Sequence, residues 1–208
     1  LPYEFPEEVV NEAKAFGTKI DERDMQNRKD LRNDIIFTID GEDAKDLDDA
    51  IHVEKLPNGN YKLDVHIADV SHYVREKTEL DKEAYLRGTS IYMLGRVIPM
   101  LPRELSNGIC SLNAGEDRYT LSCSMEITPN AKIVDSDIYK AVIRVTERMS
   151  YTDVQKILDK SDDEVLKKYE KYIKDFELMA ELATILKEKR KENGYLNLEI
   201  PESKIILD

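Results

Sequence analysis

The sequence predicts an α+β fold: a mixed, strand-rich core followed by a long C-terminal amphipathic helix. Three observations carry this expectation. Apolar residues alternate with polar ones at Tyr61, Leu63, Val65 and Ile67, and again at Leu121, Cys123, Met125 and Ile127. That period of two marks half-buried strands. Turn-forming runs adjoin both, Pro57-Asn58-Gly59-Asn60 before the first and Pro129-Asn130-Ala131-Lys132 after the second. Beyond about residue 150 the apolar spacing changes to the 3.6 period of a helix.

Taken in order, residues 1–33 read as a peripheral linking segment. Pro6 opens a short helical stretch through Phe16, and Gly17 is placed to end it. Lys19 to Asp34 carries mixed charge and reads as a solvated helix or loop. Ile35-Ile36-Phe37-Thr38-Ile39 is strand-like, Ala50 to Leu56 pairs through the first turn with the strand beginning at Tyr61, and Leu80 to Arg87 forms a short helix. After the second turn, Ile133 to Ile143 continues the sheet. Ser161-Asp162-Asp163-Glu164 has the pattern of a capping box. Val165, Tyr169, Tyr172, Phe176, Met179, Ala183 and Leu186 then form one stripe, with Gly194 suited to the C-terminal cap. One helix with that stripe would run about 45 Å. The chain lacks an initiator Met and ends in the strand-like run Lys204-Ile205-Ile206-Leu207-Asp208, so it reads as a truncated domain.

Bulk properties narrow the classes. With 208 residues, 36% charged and 41% hydrophobic, the composition is that of a soluble globular protein with a real core. No apolar run approaches the roughly 18 residues of a membrane span, and the opening Leu1-Pro2-Tyr3-Glu4-Phe5-Pro6 lacks signal-peptide character. Cys110 and Cys123 read as free cytoplasmic thiols, Cys123 as core packing. A net charge of −12 argues against nonspecific affinity for nucleic acid. Metal ions bridging two negative partners remove that objection.

The most informative segment is Asp40-Gly41-Glu42-Asp43-Ala44-Lys45-Asp46-Leu47-Asp48-Asp49, with six acidic residues answered only by Lys45. Two carboxylates about 4 Å apart repel by about 1 kcal/mol in water and about 4 kcal/mol at a partly buried site. Pinning several between core strands therefore calls for a cation. Oxygen ligands in this number suit a hard divalent ion such as Mg²⁺, and such a site suits phosphodiester hydrolysis. The plain alternative is an exposed acidic turn. A calcium loop of the EF-hand type fits poorly: its glycine would fall at Lys45, and strands, not helices, flank the run.

Thr38 to Ala50 closely resembles the acidic signature of the ribonuclease II / ribonuclease R family. Val65-His66-Ile67-Ala68-Asp69-Val70-Ser71 is similar to a second signature. Ile98-Pro99-Met100-Leu101-Pro102-Arg103-Glu104-Leu105-Ser106, continued by Ile109-Cys110-Ser111-Leu112, is similar to a third. The resemblance covers Asp34 to the C-terminus, is strongest to the ribonuclease R branch, and makes residues 34–208 the N-terminal half of the family's catalytic RNB domain. It implies a processive, hydrolytic 3′-to-5′ exoribonuclease that releases nucleoside 5′-monophosphates from single-stranded RNA with Mg²⁺, Mn²⁺ being the alternative ion. By position Asp48 is the residue most critical for chemistry. Asp40 and Asp49 are direct metal ligands, Asp46 is a ligand or its support, and Tyr92 is a stacking platform for the RNA 3′ end. Leu198 stands where relatives carry a base-stacking Phe. The family's catalytic Arg lies in the second half of its domain, and its flanking OB-fold RNA-binding domains have no counterpart here, so the isolated chain is expected to be inactive. A noncatalytic RNA-binding or regulatory module on the same fold is the competing expectation. His52, His66 and His72 form no ligand set by spacing, with His66 the best candidate for a supporting contact. Arg103 and Glu104 are candidates for shaping the loop around Tyr92 or for a structural ion pair.

Overall fold

Alternating apolar residues build one seven-stranded sheet from segments widely separated in sequence. The computed structural model describes residues 3–93 and 96–196. The strands are β1 (Lys29–Leu31), β2 (Phe37–Asp40), β3 (Asp49–Lys55), β4 (Tyr61–Ala68), β7 (Asp117–Ile127), β8 (Ile133–Arg144) and β9 (Glu147–Ser150), and their order is β1-β8-β7-β4-β3-β2-β9. The five central strands are antiparallel, β1 adds parallel to β8, and β9 adds parallel to β2. A separate hairpin joins β5 (Ile91–Met93) and β6 (Arg96–Ile98). Both predicted turns connect the strands expected of them, and Gly59 takes a positive φ of 85° in the first.

Among the described residues, six α-helices accompany the sheet: α1 (Glu7–Ala15), α2 (Val70–Tyr73), α3 (Glu79–Arg87), α4 (Tyr151–Asp159), α5 (Asp163–Lys168) and α6 (Ile173–Glu192). At one end of a sheet face, Phe37, Val53, Tyr61 and Ile127 meet Ile157, Phe176, Met179 and Leu182 from the C-terminal helices. At the other end Tyr119 and Val142 pack under Val9 and Ala13 of α1 and Leu80 of α3. Residues of opposite parity, Ala50, Ala68, Ala141 and Ile143, join Ile36, Leu47 and Leu112 in a third cluster. Between the two caps the first face stays open at Ile67, Leu121 and Ile138.

The C-terminal half departs from expectation in three ways. The predicted 45 Å helix is broken: α5 ends at Lys168, Glu170–Tyr172 is a 3₁₀ turn, and α6 runs 20 residues, about 30 Å. The break turns both Tyr169 and Tyr172 into the core, where Phe37 meets Tyr172 edge-on at 5.1 Å and Phe176 at 4.7 Å between ring centroids. Because a 3₁₀ turn preserves an i, i+3 spacing, the stripe in the sequence conceals it. Asp162, not Ser161, caps α5, accepting from the Glu164 and Val165 amides. Leu182 rather than Ala183 faces the core. Gly194, at φ 91°, closes α6 as predicted, its amide reaching Lys191 O while that of Tyr195 reaches Arg190 O. Helix α4 begins where the helical period sets in, with Ser150 Oγ accepting from the Asp153 amide as its cap.

The N-terminal segment is tied into the core. Arg28 Nη2 donates to Asp69 Oδ2 at 2.6 Å with both side chains at most 3% exposed, and its guanidinium lies 4.1 Å from the Tyr119 ring centre. Cys110 is buried, whereas Cys123 is only partly covered, which corrects the reading of its thiol as core packing. Leu198 and the terminal run at 204–208 lie outside the described residues.

Candidate functional site

Leu47 organises the acidic loop. It is 1% exposed and packs in the third core cluster, which directs its neighbours Asp46 and Asp48 away from that cluster. Its backbone is pinned on both sides: its amide donates to Ser111 Oγ at 3.1 Å, and its carbonyl accepts from the Leu112 amide at 2.9 Å. The same Ser111 hydroxyl donates to Lys45 O at 2.9 Å. The Ala68 amide donates to Asp48 O at 2.9 Å, and the Ala44 amide closes a turn onto Gly41 O at 3.1 Å. Asp40 ends β2 and Asp49 begins β3, so two adjacent strands hold the loop's two ends.

The carboxylates lie in one another's field. Burial pushes the Asp40 carboxyl up, Asp49 and Asp46 add to the rise, and the Arg148 charge offsets part of it. Burial likewise raises Asp48, followed by repulsion from Asp46, Asp49 and Asp40. None of the loop's six acidic residues is ion-paired among the described residues. In kind, this donor set of carboxylate oxygens without thiolate or imidazole fits a hard divalent cation. It is not closed into a shell: among the described residues, no group of three or more His, Cys, Asp or Glu side chains is close enough to hold a metal ion.

Tyr92 and Asp46 do meet. The Tyr92 hydroxyl donates to Asp46 Oδ2 at 2.5 Å, and this bond, with some burial, pushes the phenol up to about 12. The ring is 67% exposed at the mouth of a cleft of about 520 Å³ between the acidic loop and the β5–β6 hairpin. Lys45, Arg96 and Arg103 also line that cleft. His66 is not a support for the aspartates. Its Nδ1 pairs with Ser122 Oγ at 2.8 Å, and burial pulls its pKa down to about 4.

Two contributors escaped the sequence reading. Ser111 lies inside the third motif without any mark of its role. Arg148 of β9 sends Nη2 to three loop carbonyls, at 2.7 Å to Ala44 O, 2.8 Å to Glu42 O and 3.4 Å to Gly41 O. It is more than 100 residues away in sequence, so only the charge imbalance of the loop hinted at an outside cation.

Acidic loop, sheet and the two further motifs define the class: the chain belongs to the RNB domain family, whose model matches residues 28–208. It is 53% identical over 208 residues to ribonuclease R of Thermotoga maritima, covering 100% of this chain and 29% of that protein. To ribonuclease R 1 of Lactococcus lactis it is 50% identical over 205 residues, covering 99% of this chain and 25% of the relative. It thus spans under a third of the length of these relatives. A structure of Mycoplasma genitalium RNase R in complex with ribose-methylated single-stranded RNA matches with a TM-score of 0.89 at 33% identity, covering 100% of this chain and 32% of that one.

Proposed function

We propose that this chain forms part of the catalytic domain of a processive, hydrolytic 3′-to-5′ exoribonuclease acting on single-stranded RNA and releasing nucleoside 5′-monophosphates. What carries the reading is the RNB match together with four aspartates flanking a buried Leu47 that form no ion pair among the described residues. In this reading residues 1–33 link to the catalytic domain and 34–208 supply its first half. The second half, with its arginine, and OB-fold RNA-binding domains come from the remainder of the complete gene product. The working compartment is the cytoplasm; among the described residues no helix is long and apolar enough to cross a membrane.

Asp40, Asp46 and Asp49 would hold a divalent ion, Mg²⁺ with Mn²⁺ as the alternative. The bound ion supplies an activated water and charge neutralisation at the scissile phosphate. Asp48, raised by its surroundings, is suited to orient the attacking water and accept its proton. The exposed Tyr92 ring offers a base-stacking platform that tolerates sequence. Lys45, Arg96 and Arg103 line the cleft beside Asp43 and Asp46 and place cations there that can meet phosphate despite the chain's net −12.

The deciding experiment compares the complete gene product with its Asp48→Asn variant on RNA bearing a single-stranded 3′ tail. Nucleotide release falls at least about 100-fold if Asp48 carries the chemistry. Unchanged release refutes the assignment. The 208-residue chain alone is inactive on the same reading. A noncatalytic RNA-binding module on the same fold is the competing reading. Metal-independent RNA binding without nucleotide release by the complete gene product would establish it.

A further inference from the structure

A loop with six acidic residues must be held in shape against its own repulsion, and how it is held decides whether its side chains stay free. Two solutions exist. A cation can neutralise the carboxylates directly, in which case it competes with any incoming ion. Alternatively a cation can grip the backbone and leave the carboxylates unpaired. The loop between Asp40 and Asp49 takes the second. Arg148 Nη2 reaches Ala44 O, Glu42 O and Gly41 O. The guanidinium is a donor only, so it bonds the loop's carbonyl oxygens and not its amides.

The register explains how this residue comes to be there. Strand β9 runs parallel to β2, placing Arg148 opposite Thr38 and Ser150 opposite Asp40. A long side chain from Arg148 therefore extends alongside the strand end from which the loop departs. Leu47 and Ser111 anchor the loop's later half from below, as the pinning of Lys45 and Leu47 shows. The earlier half, Gly41 to Ala44, has the Arg148 clasp and its own turn bond. Hydrogen bonds to a charged donor are worth more than neutral ones, and three carbonyls share this one.

We infer that Arg148 is a positioning residue: by clasping the carbonyls of Gly41, Glu42 and Ala44 it fixes the earlier half of the acidic loop, so that carboxylates without an ion partner have a short way to close around a divalent cation. This rests on the reading of the loop as a cation site. It adds the claim that affinity for the ion is set partly by a residue that touches neither ion nor substrate. Residues that orient metal ligands in this indirect way typically account for about 10- to 100-fold in metal affinity.

The test uses the 208-residue chain and Mn²⁺ as probe. Mn²⁺ affinity is measured by electron paramagnetic resonance, and amide exchange by mass spectrometry without metal. Arg148→Ala is expected to weaken Mn²⁺ binding at least about 10-fold and to speed exchange at residues 42–46, with the β4–β7 amides unchanged. Arg148→Lys, which keeps a donor cation without the planar fork, is expected to recover part of the affinity. Should Arg148→Ala unfold, Arg148→Lys alone decides: affinity equal to wild type, with loop exchange unchanged, overturns the clasp. Wild-type binding retained in full by a folded Arg148→Ala overturns the clasp and leaves the cation site standing. No Mn²⁺ binding by the wild-type chain overturns the site reading, and the clasp with it.

Discussion

The Tyr92 hydroxyl is hydrogen-bonded to Asp46 Oδ2 at 2.5 Å, joining the β5–β6 hairpin to the acidic loop across the mouth of the cleft. The hairpin's aromatic ring and the loop's carboxylate thus form a single unit. On the proposed reading the phenol holds an oxygen that a bound ion would need.

Substitutions at Tyr92 separate its two roles. Tyr92→Phe keeps the ring and releases Asp46, so RNA affinity of the complete gene product should hold while Mn²⁺ affinity stays equal or tightens. Tyr92→Ala should weaken binding of a single-stranded 3′ end by about 1–3 kcal/mol, the usual worth of one stacked base. Fluorescence anisotropy with a 3′-labelled oligonucleotide reads both variants. Equal losses in the two would assign the effect to the hydroxyl instead.

Stability and site chemistry should oppose each other at Asp48. Its carboxyl is raised by burial and by three neighbouring aspartates, so the metal-free fold is strained by its charge. Asp48→Asn should therefore raise the melting temperature of the metal-free chain while abolishing nucleotide release in the complete gene product. A ligand bound only by the folded state stabilises it by mass action, so Mg²⁺ should raise the wild-type melting temperature. Asp40→Asn should lose that increment. Calorimetry with and without Mg²⁺ checks each point, and a destabilised, metal-free Asp48→Asn would contradict the first.

The Arg28–Asp69 pair should behave as a buried ion pair. Burial pushes Asp69 up, but the hydrogen bonds from Arg28 and Ser71 outweigh it and leave the carboxyl below its usual 3.8. A depressed folded pKa means stability present above 3.8 and lost as the pH drops below it. Arg28→Met should cost up to about 3 kcal/mol at neutral pH, because it leaves a carboxylate that is 2% exposed with only the Ser71 hydroxyl and Lys140 Nζ at 3.8 Å. Urea denaturation measures the loss. A change under 1 kcal/mol would show that the N-terminal segment is not anchored there.

His66 should produce a second acid limb at higher pH. Its folded pKa of about 4 lies below the usual 6.5 of a free imidazole, principally because it is buried. The unfolded chain therefore takes up a proton that the folded chain refuses. Stability is complete above 6.5 and falls by about 3 kcal/mol as the pH drops from 6.5 to 4. In His66→Gln this slope should vanish, whatever its baseline stability. Urea midpoints taken between pH 7 and 4 give the comparison, and an unchanged slope would assign it to another group.

Local patterns made most of the fold legible, and the places where they failed share a cause. Alternation marked β4 and β7 as strands and turn residues fixed their partners, but burial along them is partly reversed: Ile67 and Leu121 are exposed, while Asp64, His66, Thr120 and Ser122 are buried. The α5–α6 break stayed hidden because a 3₁₀ turn and an α-helix both keep residues three apart on one side. Asp40, Asp46, Asp48 and Asp49 stood out because so many like charges in ten residues demand a compensating partner. Ser111 and Arg148 did not, since their roles depend on which backbone atoms they reach.

The sequence by itself determined the α+β class, the strand pairs joined by tight turns, the acidic loop and its family. Those follow from periodicities and charge counts that act over about ten residues. Only the tertiary structure decided that Leu47 anchors the loop, that Tyr92 meets Asp46, and that Arg148 grips the loop's carbonyls and not its carboxylates. Each of those joins chain segments tens of residues apart, whose proximity arises from the packing of the whole sheet and leaves no periodic trace in the sequence.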